Sequence, residues 1–316
     1  MSKKAVCSAE IIVVGNVDLL SEILVRVPAK SLVKFKSVSK QWLSLISDSH
    51  FCRNHTRQNP SPPFSGLYLS PYPNSLPLNN ELTRIPFIDD QRPTTLPNFS
   101  FLDGSGAGKL QLLHSSNGLM LCSNWGETYL VCNLTTQKFV VLPKLAIVSK
   151  SNQVRRCYTY LIFDPTKSLS YKVVVVTSFN KNTAQFDMYS SENGSWKSTV
   201  ATPGLSHPWP GYGAIWNGAI FWMWWPWSHE PCSEHHHVYY RFDIDTEKLS
   251  RAQVASPDRK LSRGILHFGE CGGRLFLIPI PCESAMEFWV LEMMHRENEF
   301  QWTVKYIVDA TPLKLP

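Results

Sequence analysis

Cys232, His235, His236 and His237, with His229 just ahead of them, are the side chains in this sequence best suited to hold a metal ion. Thiolate and imidazole are the natural ligands of zinc. Adjacent histidines on an extended strand point to opposite faces, however, so few of these four could share one ion. The spacing favours an exposed polar loop and no metal centre. Six of the eleven tryptophans fall between Trp209 and Trp227. Tryptophan offers a broad apolar face and a single donor, which suits both core packing and recognition of a peptide, glycan or ring-shaped ligand. Core packing is expected to claim about half of the six; Trp209, Trp225 and Trp227, beside proline-containing turns, are left as candidate ligand contacts. A glycine-rich phosphate loop, a Gly-x-Ser-x-Gly elbow and a His-Glu-x-x-His helix are all missing from the sequence, and no paired-carboxylate signature stands out. No catalytic residue and no cofactor is therefore assigned, and a carbohydrate-binding or hydrolytic β domain is the rival reading.

The elements that position these residues are strands. From residue 64 onward, β-branched and aromatic runs alternate with turn chemistry. Asn117-Gly118, Asn193-Gly194, Asn217-Gly218 and Gly272-Gly273 mark tight hairpins, and Cys132-Asn-Leu-Thr-Thr-Gln-Lys-Phe and Phe242-Asp-Ile-Asp-Thr-Glu-Lys-Leu mark a longer turn used twice. The pattern gives four comparable units of about 45 residues and about four strands each: 112–142, 158–200, 213–254 and 265–308. A degenerate unit precedes them between Phe64 and Leu102. A lone sheet of that size cannot bury both faces, so such units stack, and radial stacking gives a propeller.

The N-terminal part reads differently. At about 100° per residue, Leu19, Leu20, Ile23, Leu24 and Val27 share one face of an amphipathic helix, with Asp18 placed to cap it and Pro28 to stop it. Val25 lies opposite that face, which predicts apolar surface on two sides. Leu32, Val33 and Phe35 supply a second short helix, and Trp42, Leu43, Leu45 and Ile46 a third that Ser39 can cap. A fourth turn runs through Phe51 and Cys52. A helical unit this small seldom closes its own core, so its apolar surface calls for a cover.

Length and composition fit this division. With 316 residues, 43% hydrophobic and 18% charged, there is material for a domain of about 260 residues behind the helical one. Residues 18–57 carry seven basic and three acidic side chains, which is +4 of the chain's net +6. The remainder is too small and dispersed for a nucleic-acid footprint. The apolar run over 213–227 is short and broken by Asn217, Gly218 and Pro226, against a membrane span. The N-terminal run Ile11 to Val14 is too short for a secretion signal, so the eight cysteines are expected as reduced thiols in the cytoplasm or nucleus.

Asp18-Leu-Leu-Ser-Glu-Ile-Leu-Val-Arg-Val-Pro28, Lys30-Ser-Leu-Val-Lys-Phe-Lys-Ser-Val-Ser-Lys-Gln-Trp42 and the following Leu45-Ile-Ser-Asp and Phe51 resemble the F-box of plant ubiquitin-ligase substrate receptors. Ser116-Asn-Gly-Leu, Cys132-Asn-Leu-Thr-Thr-Gln-Lys-Phe-Val-Val-Leu-Pro143, Phe163-Asp-Pro, Tyr171-Lys-Val-Val, Trp216-Asn-Gly-Ala-Ile-Phe-Trp222 and Phe288-Trp-Val-Leu resemble, in that order, the kelch-like F-box-associated domain of the same proteins. The resemblance implies an α+β multidomain chain: a disordered tail over 1–11, an F-box over 12–57, a linker over 58–63, and an all-β propeller-like domain over 64–316. In the family a further strand set commonly follows the last unit, whereas this sequence stops at Pro316, which leaves ring closure and a shortened member as open alternatives. It further implies a non-catalytic receptor. The F-box would bind a Skp-type adaptor, and through it cullin and RING subunits, while the β domain would bind the protein to be ubiquitinated and degraded. By motif, Leu19, Leu20, Ile23, Leu24, Pro28, Leu32, Phe35, Val38 and Trp42 are the adaptor-binding candidates, some of which must instead form the module's own core. Trp209, Trp225 and Trp227 are the substrate-binding candidates. The family's opening Leu-Pro reads Gly15-Asn16 here, which leaves a non-ligase scaffold as an alternative.

Overall fold

In the computed structural model the described residues are 16–59, 66–69, 83–86, 99–107, 110–124, 128–134, 136–145, 156–180, 183–201, 213–224, 237–254, 265–279, 287–296 and 299–309. Four helices come first: α1 (Val17–Leu24), α2 (Ala29–Phe35), α3 (Lys40–Ser47) and α4 (Ser49–Gln58). The expected fourth turn is thus a ten-residue helix that runs one residue past the boundary drawn at 57. A two-stranded hairpin, β1 (Gly66–Leu69) with β2 (Thr83–Pro86), and a 3-10 turn over Phe99–Ser105 lead into four antiparallel sheets.

The first sheet is β3 (Gln111–Ser116), β4 (Leu119–Ser123), β5 (Tyr129–Asn133) and β6 (Lys138–Val141); the second is β7 (Arg156–Ile162), β8 (Lys172–Asn180), β9 (Thr183–Ser190) and β10 (Ser195–Ala201). The third is β11 (Gly213–Trp216), β12 (Ala219–Trp224), β13 (His237–Asp243) and β14 (Lys248–Val254); the fourth is β15 (Ile265–Cys271), β16 (Arg274–Pro279), β17 (Glu287–Arg296) and β18 (Glu299–Asp309). Strands are neighbours in chain order in every sheet, so each is a meander, and the four sheets are the four units read from the turn spacing.

Turn chemistry sets this regularity. Asn117 and Gly118 take φ of 44° and 84°, and Asn217 and Gly218 take 45° and 72°. Two successive residues with positive φ make the hairpin turn whose twist matches that of the strands, and Asn-Gly adopts it at least cost. The longer turn also repeats its wiring. Asn133 Oδ1 accepts the Thr136 N–H at 3.0 Å, and Asp243 Oδ1 accepts the Thr246 N–H at 2.8 Å and the Thr246 hydroxyl at 2.8 Å. Gln137 and Glu247 then occupy matching left-handed positions, with φ of 52° and 54°.

Two central strands are buried on both faces. Val173 to Thr177 of β8 and Ala219 to Met223 of β12 are all buried, which demands that the sheet be covered on two sides. By contacts, the chain divides into two compact units, residues 1–147, 159–174 and 188–197 in one and 148–158, 175–187 and 198–316 in the other. Within the first unit, His114 lies edge-on to Tyr160 and Tyr129 edge-on to Trp196, whose Nε1 donates to the Pro143 carbonyl at 2.7 Å. Asn117 Nδ2 donates to the Phe163 carbonyl at 2.6 Å. Within the second unit, Phe186 of β9 stacks on Phe242 at 4.2 Å and meets Trp222 edge-on at 6.2 Å. There too a shared core joins Trp216, Phe221, Met223 and Tyr239 of the third sheet to Leu275, Leu277, Leu291, Met293 and Trp302 of the fourth. Trp216 closes that contact by donating from Nε1 to the Gly273 carbonyl at 2.8 Å.

The backbone N–H of Thr246, together with its hydroxyl and Arg241 at 2.6 Å, holds the Asp243 carboxyl down at about 2, against an ordinary 3.8. Because the folded value lies below the unfolded one, this group stabilises the fold above about pH 4 and ceases to do so as pH falls towards 2. Asp243→Asn is expected to lower the melting temperature at neutral pH. The gap between variant and native protein should close between pH 4 and 2, which calorimetric melts across that range will check.

Candidate functional site

The helical unit is built from short helices whose ends are individually capped. Asn16, and not Asp18, caps α1: its Oδ1 accepts the N–H groups of Asp18 and Leu19 at 3.1 Å each, and Asp18 sits inside the first turn. The position expected of Asp18 is taken by the residue two earlier because Asn16 holds the extended backbone a cap requires. Ser39 caps α3 by accepting the Trp42 N–H at 3.2 Å. Asp48 caps α4 by accepting from His50 and Phe51 at 2.9 and 3.0 Å, and the Phe51 N–H holds its carboxyl below the usual carboxylate range. The chain leaving α1 is tied to α4: His55 Nε2 donates to the Val27 carbonyl at 2.8 Å, and Asn59 Nδ2 to the Val25 carbonyl at 2.7 Å.

These ties fix which apolar residues face inward. Leu20, Leu24, Val25, Leu32, Ile46 and Phe51 form a core that is nearly solvent-free, with Val27, Phe35, Trp42 and Leu45 packed at its margin. Phe35 and Trp42 meet edge-on at 5.6 Å. Val25, expected on an outward second side, is buried: it lies at the C-cap of α1, where the Asn59 bond to its carbonyl turns the chain inward. What remains outside is also apolar. Ile23 is 46% exposed, Val38 59% and Leu19 37%, and Val17, Val33 and Leu43 are exposed as well.

The nine candidates named from the motif therefore separate. Leu20, Leu24 and Leu32 belong to the core; Leu19, Ile23, Pro28 and Val38 lie at the surface; Phe35 and Trp42 are half-buried between them. Val33 and Leu43, expected among the apolar residues of the second and third helices, lie at the surface, as does Val17 at the start of α1. Leu32 and Phe35 at i and i+3 already fill the inward stripe of α2, which leaves Val33 off it. Lys34 and Lys40, one and two residues along the chain from the exposed Val33 and Val38, are exposed too, and Lys36 is half-buried. Exposed apolar side chains on a lysine-bearing helical unit can hold another protein by burial, with charge to select an acidic partner.

Trp209, Trp225 and Trp227, as well as Cys232, His229, His235 and His236, lie outside the described residues. Of the tryptophans in that cluster, Trp216 and Trp222 are packing residues, the latter with no exposed surface. Among the described residues no group of three or more histidine, cysteine or acidic side chains could hold a metal ion, and no helix is long and apolar enough to cross a membrane.

Residues 16–54 match the F-box domain, and residues 90–313 match the F-box associated beta propeller domain. The chain belongs to the F-box proteins that carry an F-box-associated β-propeller domain. The four-stranded sheets described above are thus those of a propeller-like fold. Among relatives in Arabidopsis thaliana, F-box protein At5g07610 is 28% identical over 97% of this chain and 73% of its own. F-box protein At4g19940 is 29% identical over 94% of this chain and 73% of its own, and F-box/kelch-repeat protein At4g19930 is 29% identical over 92% and 68%.

The division of the F-box into core and surface residues gives a direct expectation. Leu20→Ala should destabilise the F-box by about 2–5 kcal/mol, as for other large-to-small core changes. Ile23→Ala should stay within about 0.5 kcal/mol of the native protein. Chemical denaturation of the two variants, followed by a helix signal, will check the contrast.

Proposed function

We propose that this F-box protein is a substrate receptor of a Skp-cullin-F-box ubiquitin ligase. F-box domains generally bind Skp-type adaptors, and F-box proteins are generally not catalysts. The observation that carries the reading is that Leu19, Ile23, Pro28 and Val38 stay exposed and Phe35 and Trp42 only half-buried, so that the F-box's own core leaves these side chains uncovered. The adaptor covers this surface and brings cullin and RING subunits with it. The propeller-like domain holds a protein substrate, which is ubiquitinated and passed to the proteasome in the cytoplasm or nucleus. The chain supplies no reacting group. It raises the effective concentration of a substrate lysine at the charged conjugating enzyme, turning a bimolecular encounter into a local one.

Gly15-Asn16 in place of the family's Leu-Pro supports a second reading, a scaffold that binds adaptor without entering a ligase. Asn16 has a use of its own as the cap of α1, so the change does not leave the helix end unsatisfied. Ile23→Asp is expected to weaken binding of a purified Skp-type adaptor at least about a hundredfold, by setting a charge in a desolvated contact, with an unchanged melting temperature. Titration calorimetry reads the first and a thermal melt the second. Unchanged affinity in both Ile23→Asp and Leu19→Asp would refute the assignment of the surface. Capture of adaptor without cullin from an extract would favour the scaffold over the ligase receptor.

A further inference from the structure

We propose that His55 and Asn59 are positioning residues for adaptor binding: from the end of α4 they hold the turn between α1 and α2, and so preset the exposed apolar side chains that stand before and after it. The proposal rests on the reading of the chain as an adaptor-binding receptor and goes beyond it. Both residues lie outside the stretch 16–54 that matches the F-box domain. The unit that works is thus longer than the unit that matches.

The turn is short of backbone donors. Pro28 has no N–H, and the N–H groups of Ser31 and Leu32 both go to the Pro28 carbonyl, at 2.9 and 3.1 Å, where α2 begins. Those of Val25, Arg26 and Val27 turn back onto α1, to the carbonyls of Ser21, Ile23 and Leu24. The Val25 and Val27 carbonyls take their donors from side chains 34 and 28 residues further along: Asn59 Nδ2 at 2.7 Å and His55 Nε2 at 2.8 Å. A carbonyl only accepts, so His55 carries a proton on Nε2. Both donors are themselves held. His55 stacks on the core residue Phe51 at 6.2 Å, and Asn59 Nδ2 also donates to the His55 carbonyl at 2.9 Å.

Burial of the core does not by itself set the angle of the turn, because the hydrophobic effect has no direction. A hydrogen bond to a carbonyl does. Leu19 and Ile23 are exposed on α1 before the turn, Pro28 lies in it, and Val38 is exposed just beyond α2. A partner that touches side chains from both helices finds them in place only while the passage from α1 to α2 keeps one geometry. Where the free chain keeps that geometry for a fraction of the time, the apparent affinity falls by the same fraction. The two bonds sit at the two ends of the segment Val25 to Val27, so swinging α2 against α1 strains one or the other.

The test is titration calorimetry of the full chain with a purified Skp-type adaptor, at a temperature where thermal melts show every variant folded. His55→Phe keeps an aromatic ring against Phe51 and removes the donor, His55→Gln returns a donor, and Asn59→Leu keeps the bulk and removes the amide. His55→Phe and Asn59→Leu should each weaken binding about tenfold, with an unchanged helix signal, and His55→Gln should stay within about threefold of the native chain. Amide exchange over 25–31 should quicken in the two weakened variants while free and slow again once the adaptor is bound. A purely structural part for these residues would lower the melting temperature and leave the affinity of the folded chain unchanged. That result would overturn the proposal, as would an equal loss in His55→Gln and His55→Phe. Should His55→Phe not fold, Asn59→Leu decides by the same criterion, since Asn59 stands outside the six-residue core. A native chain that does not bind the adaptor would overturn the receptor reading and this proposal with it; native binding matched by the variants would overturn this proposal alone.

Discussion

The F-box depends on a core too small to use up its own apolar residues. Six side chains, Leu20, Leu24, Val25, Leu32, Ile46 and Phe51, close it from within. Helices of seven to ten residues gain little from their own hydrogen bonds, so their stability comes from packing and from satisfied ends. Asn16, Ser39 and Asp48 cap the starts of three helices, and His55 and Asn59 bind carbonyls at the exit from α1. With the backbone pinned this way, α1 cannot roll to hide Leu19 and Ile23 without exposing Leu20 and Leu24. The uncovered apolar surface is a geometric consequence of the core.

The sheets meet the same problem by repetition. A four-stranded meander has two faces, and strands such as β8 and β12 are apolar towards both. Each sheet therefore needs neighbours, and aromatic contacts supply them: Tyr129 on Trp196 in one unit, Phe186 on Phe242 and the Trp216 bond to Gly273 in the other. The Asn-Gly turns and the Asn133 and Asp243 turns keep the hairpins in register and so fix where these side chains stand on their strands. Binding residues on the loops would be carried by this scaffold and need not contribute to its stability.

Much of this was legible in the sequence, because turn residues and apolar periodicity are local signals. Asn117-Gly118 and Asn217-Gly218 mark their hairpins, the four units coincide with the four sheets, and Ser39 caps the helix it precedes. Other features depend on contacts far along the chain. Val25 falls opposite the main stripe of α1 on a helical wheel, yet Asn59, thirty-four residues later, binds its carbonyl and the side chain is buried. Capping by Asn16 rather than Asp18 turns on the backbone angle of one residue, to which both sequence positions were open. The separation of Leu19 and Ile23 from Leu20 and Leu24 needed the arrangement of all four helices, since periodicity alone puts them on one stripe.

The most direct test of the central claim is site-specific photocrosslinking. A benzophenone side chain placed at 19, 23 or 38 samples the surface that the core leaves open, and one placed at 53 samples α4 outside it. In the presence of a purified Skp-type adaptor, crosslinked adaptor is expected from the first three positions and little from the fourth. Crosslinking from position 53 alone, with none from 19, 23 or 38, would contradict it.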